Sequence, residues 1–378
     1  MKLAIISHTE HYKTTTGEVV GWGPTISEIN HLIEVFDVIY HIAMLHQDTP
    51  PPSALPYTSD RVKFVGLKPS GGRTLMSKLH TIFQAPSVIN TVAKTLEEVD
   101  CFQLRTPTGI GVYLIPYLTF FSKKEGWYKY AGNWNQKNPP LGYKLQRWML
   151  LNQSRKVTIN GTWSGQASHC YTFENPCLTD DEIIEGEKVR AQKNIQEPLQ
   201  FCYVGRLEKP KGVERIIKAF QLLTDTEKQR VGCVHLVGDG SEFDYFKDLA
   251  KTTGVAFNFH GFLPRHKVFE IYKKSHVFVM PTTASEGFPK VIAEAMNFGC
   301  LPIVSNISSI GHYLKHQQNG FVLNTVTIDN LLEEIREVLK LGENKFHSMI
   351  NDRDQMLNKF TFSNYKFRIQ KEILKIQS

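Results

Sequence analysis

The sequence predicts an α/β protein built from two doubly wound parallel-sheet domains. Its 378 residues exceed one ordinary domain. Short apolar, strand-like runs alternate with helical patterns in both halves, and the alternation stops in a polar stretch near residues 175–200 before starting again. Taken in order, "KLAIIS" reads as a buried first strand, followed by the glycine-bearing loop "TTTGEVVGWGPT". A helix starts near Ser27 and carries Ile29, Leu32, Ile33 and Phe36 at helical spacing. "VIYHIAML" and "RVKFVGL" read as strands, and "TLMSKLHTIFQAPSVINTVAKTLEEV" as a helix interrupted at Pro86. "CFQLR", "GWYKYAG" and "KVTING" complete the first set of strands.

The stretch "ENPCLTDDEIIEGEKVRAQKNIQEP" is charged and bounded by prolines, as suits a linker. Beyond it "LQFCYVG" is a strand, and "VERIIKAFQLL" places Val213, Ile216, Ile217 and Phe220 on one helical face. "CVHLVGDG", a helix with Phe243, Phe246 and Leu249, and "AFNFHGF" follow. After them come a helix through Val268 and Ile271, then "HVFVMPT", another helix and "LPIVS". These are two Rossmann-like halves, predicted as 1–180 and 181–359. A final helix over 360–378 has Ser363 as N-cap and an apolar stripe through Ile369, Ile373 and Ile376.

Composition narrows the function. Forty-one per cent hydrophobic residues suffice for real cores, and a net charge of +7 favours anionic partners without choosing among them. No basic block, zinc-finger spacing or aromatic-basic motif speaks for nucleic acid. Six cysteines without a CxxC predict buried free thiols in a reducing cytoplasm, and "MKLAIISHTE" has no cleavage site of a signal peptide. The uncharged run over 106–122 falls short of the roughly 20 residues a membrane span needs. It reads as a strand end and a core helix. Lys123, Lys124, Lys129, Lys144, Arg147, Arg155 and Lys156 lie among Trp127, Tyr128, Tyr143 and Trp148. That is either a surface for anionic lipid headgroups or ordinary surface charge over a core.

In open parallel sheets ligands bind where strands end and helices begin. Three such loops stand out in the second half. In "GRLEKPKG", Gly205 ends a strand, and Arg206 and Lys211 flank a turn suited to a diphosphate, or simply to solvent. In "VGDGSE", Gly238 and Gly240 allow close approach of a nucleotide to the backbone, as they would in any strand-to-helix turn. In "EGFPKVIAEAMNFG", Gly287 and Phe288 form a turn and Pro289 suits the first helical position, so the first-turn amides make a phosphate cradle. Glu286 at its mouth suits sugar hydroxyls. Glu294 lies on the flank of an apolar stripe, where a carboxylate is costly unless it finds donors such as a ribose diol. Two solvated glutamates near a helix start are the alternative, which fits Glu286 better than Glu294.

In order and spacing, "GRLEKPKG", "VGDG", "HGFLPRHKVFEIYKKSHVFVMPT" and "EGFPKVIAEAMNFGCLPIVS" resemble the donor half of retaining GT-B glycosyltransferases of family 4. Glu286 and Glu294 match the family's E-x7-E motif. The resemblance is strong from about residue 199 to 322 and thematic before that. It implies a nucleotide-diphospho-sugar held in a cleft between two Rossmann domains, with no obligatory metal. Arg206 and Lys211 would neutralise the departing diphosphate, Glu286 would hold the sugar and Glu294 the ribose. Amides around Phe288 and Pro289 would assist, and Phe262 and Leu263 would line the base. The closing helix near Tyr365 would return to the first domain. The D-x-D of metal-dependent enzymes has one match, Asp352-Arg353-Asp354, read as a solvated helical face.

The first half matches less closely. "GEVVGWGPT" stands where the family has its glycine-rich loop, making Gly21 and Gly23 candidates near phosphate or acceptor and Trp22 a candidate for lining the acceptor site. Where many relatives carry a histidine, "DCFQLRTP" offers Arg105, catalytic or structural. His8, Asn133, Trp134 and Asn160 are weaker candidates. The expectation is a retaining hexosyltransferase acting on a saccharide or lipid-linked acceptor in polysaccharide, capsule or lipopolysaccharide synthesis, cytoplasmic or peripheral at the membrane's inner face. A non-catalytic nucleotide-sugar binder and a sugar-nucleotide epimerase are the competing classes.

Overall fold

Each half of the chain winds its own sheet. The computed structural model describes residues 1–376 apart from 73, 196, 197 and 352. It divides into one unit of Met1–Asn175 with Asn364–Ser378 and a second of Pro176–Ser363. The first unit runs β1 (Lys2–Lys13), β2 (Val19–Trp22), α1 (Gly23–Leu32), β3 (Val38–Leu45), β4 (Ala54–Pro56) and β5 (Val62–Leu67). It continues with α2 (Leu75–Phe83), α3 (Ala85–Glu97), β6 (Cys101–Thr106), α4 (Gly111–Phe120), β7 (Glu125–Tyr130), α5 (Leu141–Leu151), β8 (Val157–Ile159) and β9 (Cys170–Thr172). Its parallel strands lie in the order β5-β3-β1-β6-β7-β8-β9, and β2 pairs antiparallel with the end of β1.

The continuous apolar run of β1 follows from burial on both faces. Leu3 and Ile5 pack with Ile29, Leu32 and Phe36 on the α1 side, joined by Tyr365 and Ile369 from the end of the chain. Ala4 and Ile6 face Val88 and Val92 of α3 and Leu114 and Leu118 of α4.

Three local expectations are corrected. The glycine-bearing loop contains a strand, Val19–Trp22, and β1 extends to Lys13 to pair with it. A Cβ on Gly21 would come within 2.4 Å of the His11 ring, so the missing side chain is explained by its strand partner. The first helix starts at Gly23, with Pro24 in its first turn, rather than near Ser27. The long helix breaks at Gln84, which places Pro86 in the first turn of α3.

A buried ion cluster holds this unit. Glu28 of α1 accepts from Arg105 at 2.8 Å and from Lys129 at 2.7 Å, and Tyr365 donates to it at 2.9 Å. Arg105 also donates to Gln103 and Thr25. Lys129 therefore belongs to the interior, as do Trp127 and Tyr128. Lys124, Arg155 and Lys156 are tied to backbone carbonyls. These residues leave the basic-aromatic surface read from the sequence.

The second unit comprises α6 (Asp180–Gln192), β10 (Leu199–Val204), α7 (Val213–Gln221), α8 (Asp225–Gln229), β11 (Val231–Val237), α9 (Phe243–Ala250), β12 (Phe257–Gly261) and α10 (Arg265–Lys274). After these come β13 (Val277–Met280), α11 (Lys290–Asn297), β14 (Leu301–Ser305), α12 (Ile310–Tyr313), β15 (Phe321–Leu323), α13 (Ile328–Leu339), α14 (Glu343–Asn351) and α15 (Asp354–Asn358). Helix α16 (Phe362–Arg368) then leads into the closing residues. The sheet is wholly parallel in the order β12-β11-β10-β13-β14-β15.

Here too the sequence misleads in places. The polar stretch expected to be a linker forms α6, started by a capping box between Thr179 and Glu182. Its buried face is Ile183, Gly186 and Arg190: the Asn297 side chain fills the space at Gly186, and Arg190 donates to the Asn297 carbonyl at 2.8 Å. Apolar periodicity could not reveal such a helix. Arg353 is buried and donates to the carbonyls of Met349, Cys300 and Asn319. Asp354 pairs with Arg190 at 2.6 Å, and Asp352 lies outside the described residues. The Arg353–Asp354 pair is a structural joint rather than a solvated face. Ser363 lies inside α16 and bonds Asp180, so it is no N-cap. The six cysteines are free thiols, five of them buried.

Candidate functional site

The strand order of the second sheet reverses between β10 and β13. Ligands of open α/β sheets sit at such a reversal, outside the carboxyl ends of the strands. The two loops leaving these strands are stitched together. The Pro210 carbonyl accepts from the Thr283 amide at 2.8 Å and from the Thr282 and Thr283 hydroxyls. Gly212 adopts the left-handed region at φ +97°, and a Cβ there would stand 2.4 Å from the Pro281 carbonyl. Only glycine permits this approach. The stitch sets Lys211 beside Glu286, to which its ammonium is hydrogen-bonded. Lys211 is largely buried and Glu286 about one-third exposed (36%). Burial, seconded by the nearby Arg206 guanidinium, lowers the Lys211 ammonium to about 8.

Arg206 is paired elsewhere. It is 68% exposed and pairs with Glu208 at 3.0 Å, while its carbonyl accepts from the buried Tyr203 hydroxyl at 2.7 Å. Of the two cations read from the sequence, Lys211 is built in and Arg206 stays at the surface.

Gly205, Gly238 and Gly240 pack against one another at the adjoining strand ends. A Cβ on Gly238 would lie 1.9 Å from the Gly205 carbonyl oxygen, and one on Gly240 would lie 2.3 Å from that of Leu207. The room left at Gly238 and Gly240 is taken by the 205–207 backbone, and that at Gly205 by the Tyr203 hydroxyl. These glycines dock one loop on the next. Gly238→Ala is therefore expected to cost at least about 1–3 kcal/mol by overpacking, with strain at φ +131° in addition. Thermal unfolding checks this; an unchanged melting temperature contradicts it.

Beyond Glu286, Gly287 and Phe288 are buried. The Phe288 ring packs against Phe360 and Tyr313 at 4.5 and 5.0 Å, which anchors the turn. Pro289 is the N-cap of α11 rather than its first residue, and its carbonyl accepts from the Ile292 amide at 3.1 Å. One turn on, the Glu294 side chain keeps 13% of its surface, with Arg265 Nε 3.6 Å away. Burial pushes its carboxyl up, and Arg265 draws it back. Full solvation, the alternative for Glu294, does not apply. Phe262 at the end of β12 is exposed, and Leu263 packs partly on the core.

Arg265 escaped the sequence reading. It opens α10, where a cation faces the positive end of the helix, and is held there by Glu182 and the Cys177 carbonyl as well as Glu294. A basic residue directly after a helix-starting proline was the available signal. In the first unit Trp22 is exposed at the end of β2, and a Cβ on Gly23 would lie 2.7 Å from the Ser53 carbonyl. His8 stands at the reversal between β1 and β6; it bonds the Ser70 carbonyl at 2.7 Å and its ring lies against Gly71 and Gly109. Because that carbonyl only accepts, Nε2 carries the proton. Trp134 is core, and the buried Asn160 amide donates to Ala131.

Two parallel-sheet Rossmann-like units give the chain the fold of the GT-B class. Solved structures with this fold include HepE of Anabaena in complex with UDP (TM-score 0.70, 15% identity, all of both chains covered). Another is sucrose-phosphate synthase of Thermosynechococcus elongatus (TM-score 0.72, 13% identity, all of this chain and 99% of that one). More particularly, residues 185–355 match the family Glycosyl transferases group 1. An uncharacterized glycosyltransferase of Methanocaldococcus jannaschii is 26% identical over 199 residues, 51% of this chain and 50% of that one. The lipopolysaccharide 1,6-galactosyltransferase of Salmonella typhimurium is 28% identical over 160 residues, 41% and 43% of the two chains. The matches span about half the length of these curated relatives.

Proposed function

We propose that the protein is a retaining glycosyltransferase of the family 4 type, moving a sugar from a nucleotide-diphospho-sugar to a saccharide or lipid-linked saccharide in the synthesis of a cell-surface polysaccharide. One observation carries this reading: at the sheet's reversal point a largely buried lysine and a one-third-exposed glutamate are clamped together by hydrogen bonds between their loops. A diphosphate entering there competes with Glu286 for the Lys211 ammonium. As Lys211 turns to the phosphate, the Glu286 carboxylate is released to accept from sugar hydroxyls. Arg206 swings from Glu208 to the same diphosphate, whose charge the positive end of α11 favours. Glu294, already relieved by Arg265, accepts from the ribose.

Glycosyl transfer passes through an oxocarbenium-like centre while charge builds on the leaving diphosphate. Cations that strengthen their hold as that charge grows stabilise the transition state more than the ground state. These side chains meet that charge without a divalent ion. The UDP in the HepE complex supports a uridine donor as the first to try. Screening UDP-, GDP-, ADP- and dTDP-sugars by thermal shift is expected to find one that raises the melting temperature. Its turnover with added acceptor is expected to persist in EDTA. Absence of any stabilising donor counts against the reading, and loss of turnover in EDTA against its metal-free form.

A further inference from the structure

Strand β1 carries a bulge at the reversal point of the first sheet. Ile6 pairs with Ile42 and Glu10 with Met44, so β1 advances four residues where β3 advances two. The pairing of β1 with β6 ends at Ile6, just before this bulge. His8 sits in the middle of the extra length. Bulges re-aim a side chain and recur beside active sites. This one lies where an open sheet takes its ligands.

A circuit of side chains pins both flanks of the bulge. The Thr9 carbonyl accepts from His11 Nδ1 at 3.1 Å. Burial lowers the His11 ring to about 4, so at neutral pH its Nε2 is bare and accepts from the Tyr57 hydroxyl at 2.9 Å. The Tyr57 oxygen in turn accepts from His41 Nδ1 at 2.7 Å. Burial keeps His41 neutral too, so its Nε2 accepts from Ser7 Oγ at 2.8 Å, and Ser7 Oγ accepts from the Thr9 amide at 3.3 Å. Each proton in the circuit thus has one direction. The circuit begins on Ser7 and ends on Thr9, the two neighbours of His8. Ser7, His11 and His41 are buried. A buried network with its partners in place stiffens the backbone it touches.

His8 itself is held by one nitrogen and leaves the other open. Nε2 donates to the Ser70 carbonyl, and a Cβ on Gly71 or Gly109 would come within 3.0 and 3.2 Å of the ring. Burial lowers the proton affinity of the ring, so Nδ1 keeps its lone pair. Nδ1 has no partner among the described residues, and the partly exposed side chain does not seal it from solvent. Such an atom recognises a hydrogen-bond donor. The charged groups that bear on His8 are His46 and Glu10, with no lysine or arginine among them. A diphosphate brings acceptor oxygens and negative charge and finds nothing to bind here. A neutral hydroxyl does.

We infer, resting on the glycosyltransferase reading above, that His8 Nδ1 accepts from a hydroxyl of the saccharide acceptor and seats that substrate at the first unit's reversal point. The bulge and its circuit hold the ring in place before the substrate arrives, which spares the ordering cost at binding.

Two variants separate the two ring nitrogens. His8→Gln places an amide nitrogen near Nε2, keeping the Ser70 bond, and offers nothing at Nδ1. His8→Asn places its oxygen near Nδ1. The probes are octyl glucoside, octyl galactoside and octyl mannoside as acceptors, with the donor found by screening. His8→Gln is expected to raise the acceptor KM by about tenfold, the worth of one hydrogen bond, with donor KM and donor-induced thermal shift unchanged. His8→Asn should restore an acceptor KM close to that of the wild type. An unchanged acceptor KM in the Gln variant, an Asn variant no better than it, or transfer to none of the octyl glycosides would each overturn the assignment. So would a raised donor KM in place of the acceptor's, or loss of the fold in a Gln variant that keeps the Ser70 bond. A wild type stabilised by no donor strikes the glycosyltransferase reading itself, and this role of His8 falls with it.

Discussion

Glu286→Gln is expected to reduce turnover by roughly 10²–10³-fold while leaving nucleoside-diphosphate affinity unchanged or tighter. The asymmetry follows from the pair it breaks. In the free protein Glu286 occupies the Lys211 ammonium that a diphosphate needs. The amide is isosteric but no longer holds the lysine by charge, so nucleotide binding loses a competitor. The reaction loses the carboxylate that accepts from the sugar. Steady-state kinetics with the donor found by screening, beside calorimetric titration of its nucleoside diphosphate, measures both. Parallel loss of affinity and turnover would mean that Glu286 serves the loop's structure instead.

Lys211→Ala has the opposite profile. Removing a buried cation from the diphosphate is expected to weaken binding by about 10–100-fold, the worth of a charged hydrogen bond, and to lower turnover by roughly 10²–10³-fold. Stability should move by less than about 1 kcal/mol, because the Glu286 carboxylate left behind reaches water. The wild type has a matching pH signature. Lys211 in the free protein titrates at about 8, and a bound diphosphate raises that value. Affinity is therefore steady below pH 8 and falls about tenfold per pH unit above it, until the pKa of the complex is reached. Lys211→Ala should flatten this dependence. A wild-type affinity independent of pH between 7 and 10 would remove Lys211 from the diphosphate.

Where a strand or helix buries a regular apolar pattern, the sequence shows it. Val213, Ile216, Ile217 and Phe220 are fully buried along one face of α7, and "VIYHIAML" coincides with β3. Elements held by polar or small contacts leave no such trace. Helix α6 packs through Gly186 and Arg190, and β2 pairs through a glycine beneath a histidine ring.

The site shows the same division. Lys211, Glu286 and Glu294 stand out because charged residues at strand ends and helix starts are chemically conspicuous. Arg265, which meets Glu294, and the Pro210–Thr283 stitch are matters of distance, which spacing along a chain does not encode. Gly238 and Gly240 were legible as glycines but not in their purpose, since the backbone that fills their space belongs to another loop. Arg105 stood out as a charge, yet its partner Glu28 is 77 residues before it, and Tyr365, which donates to the same carboxylate, lies near the other end of the sequence.

A crystal structure with the intact donor tests the exchange at the centre of this account. It should show the Lys211 ammonium within hydrogen-bonding distance of the diphosphate and the Glu286 carboxylate turned to the sugar hydroxyls. A seated donor with Lys211 still on Glu286, and the diphosphate held elsewhere, would contradict it.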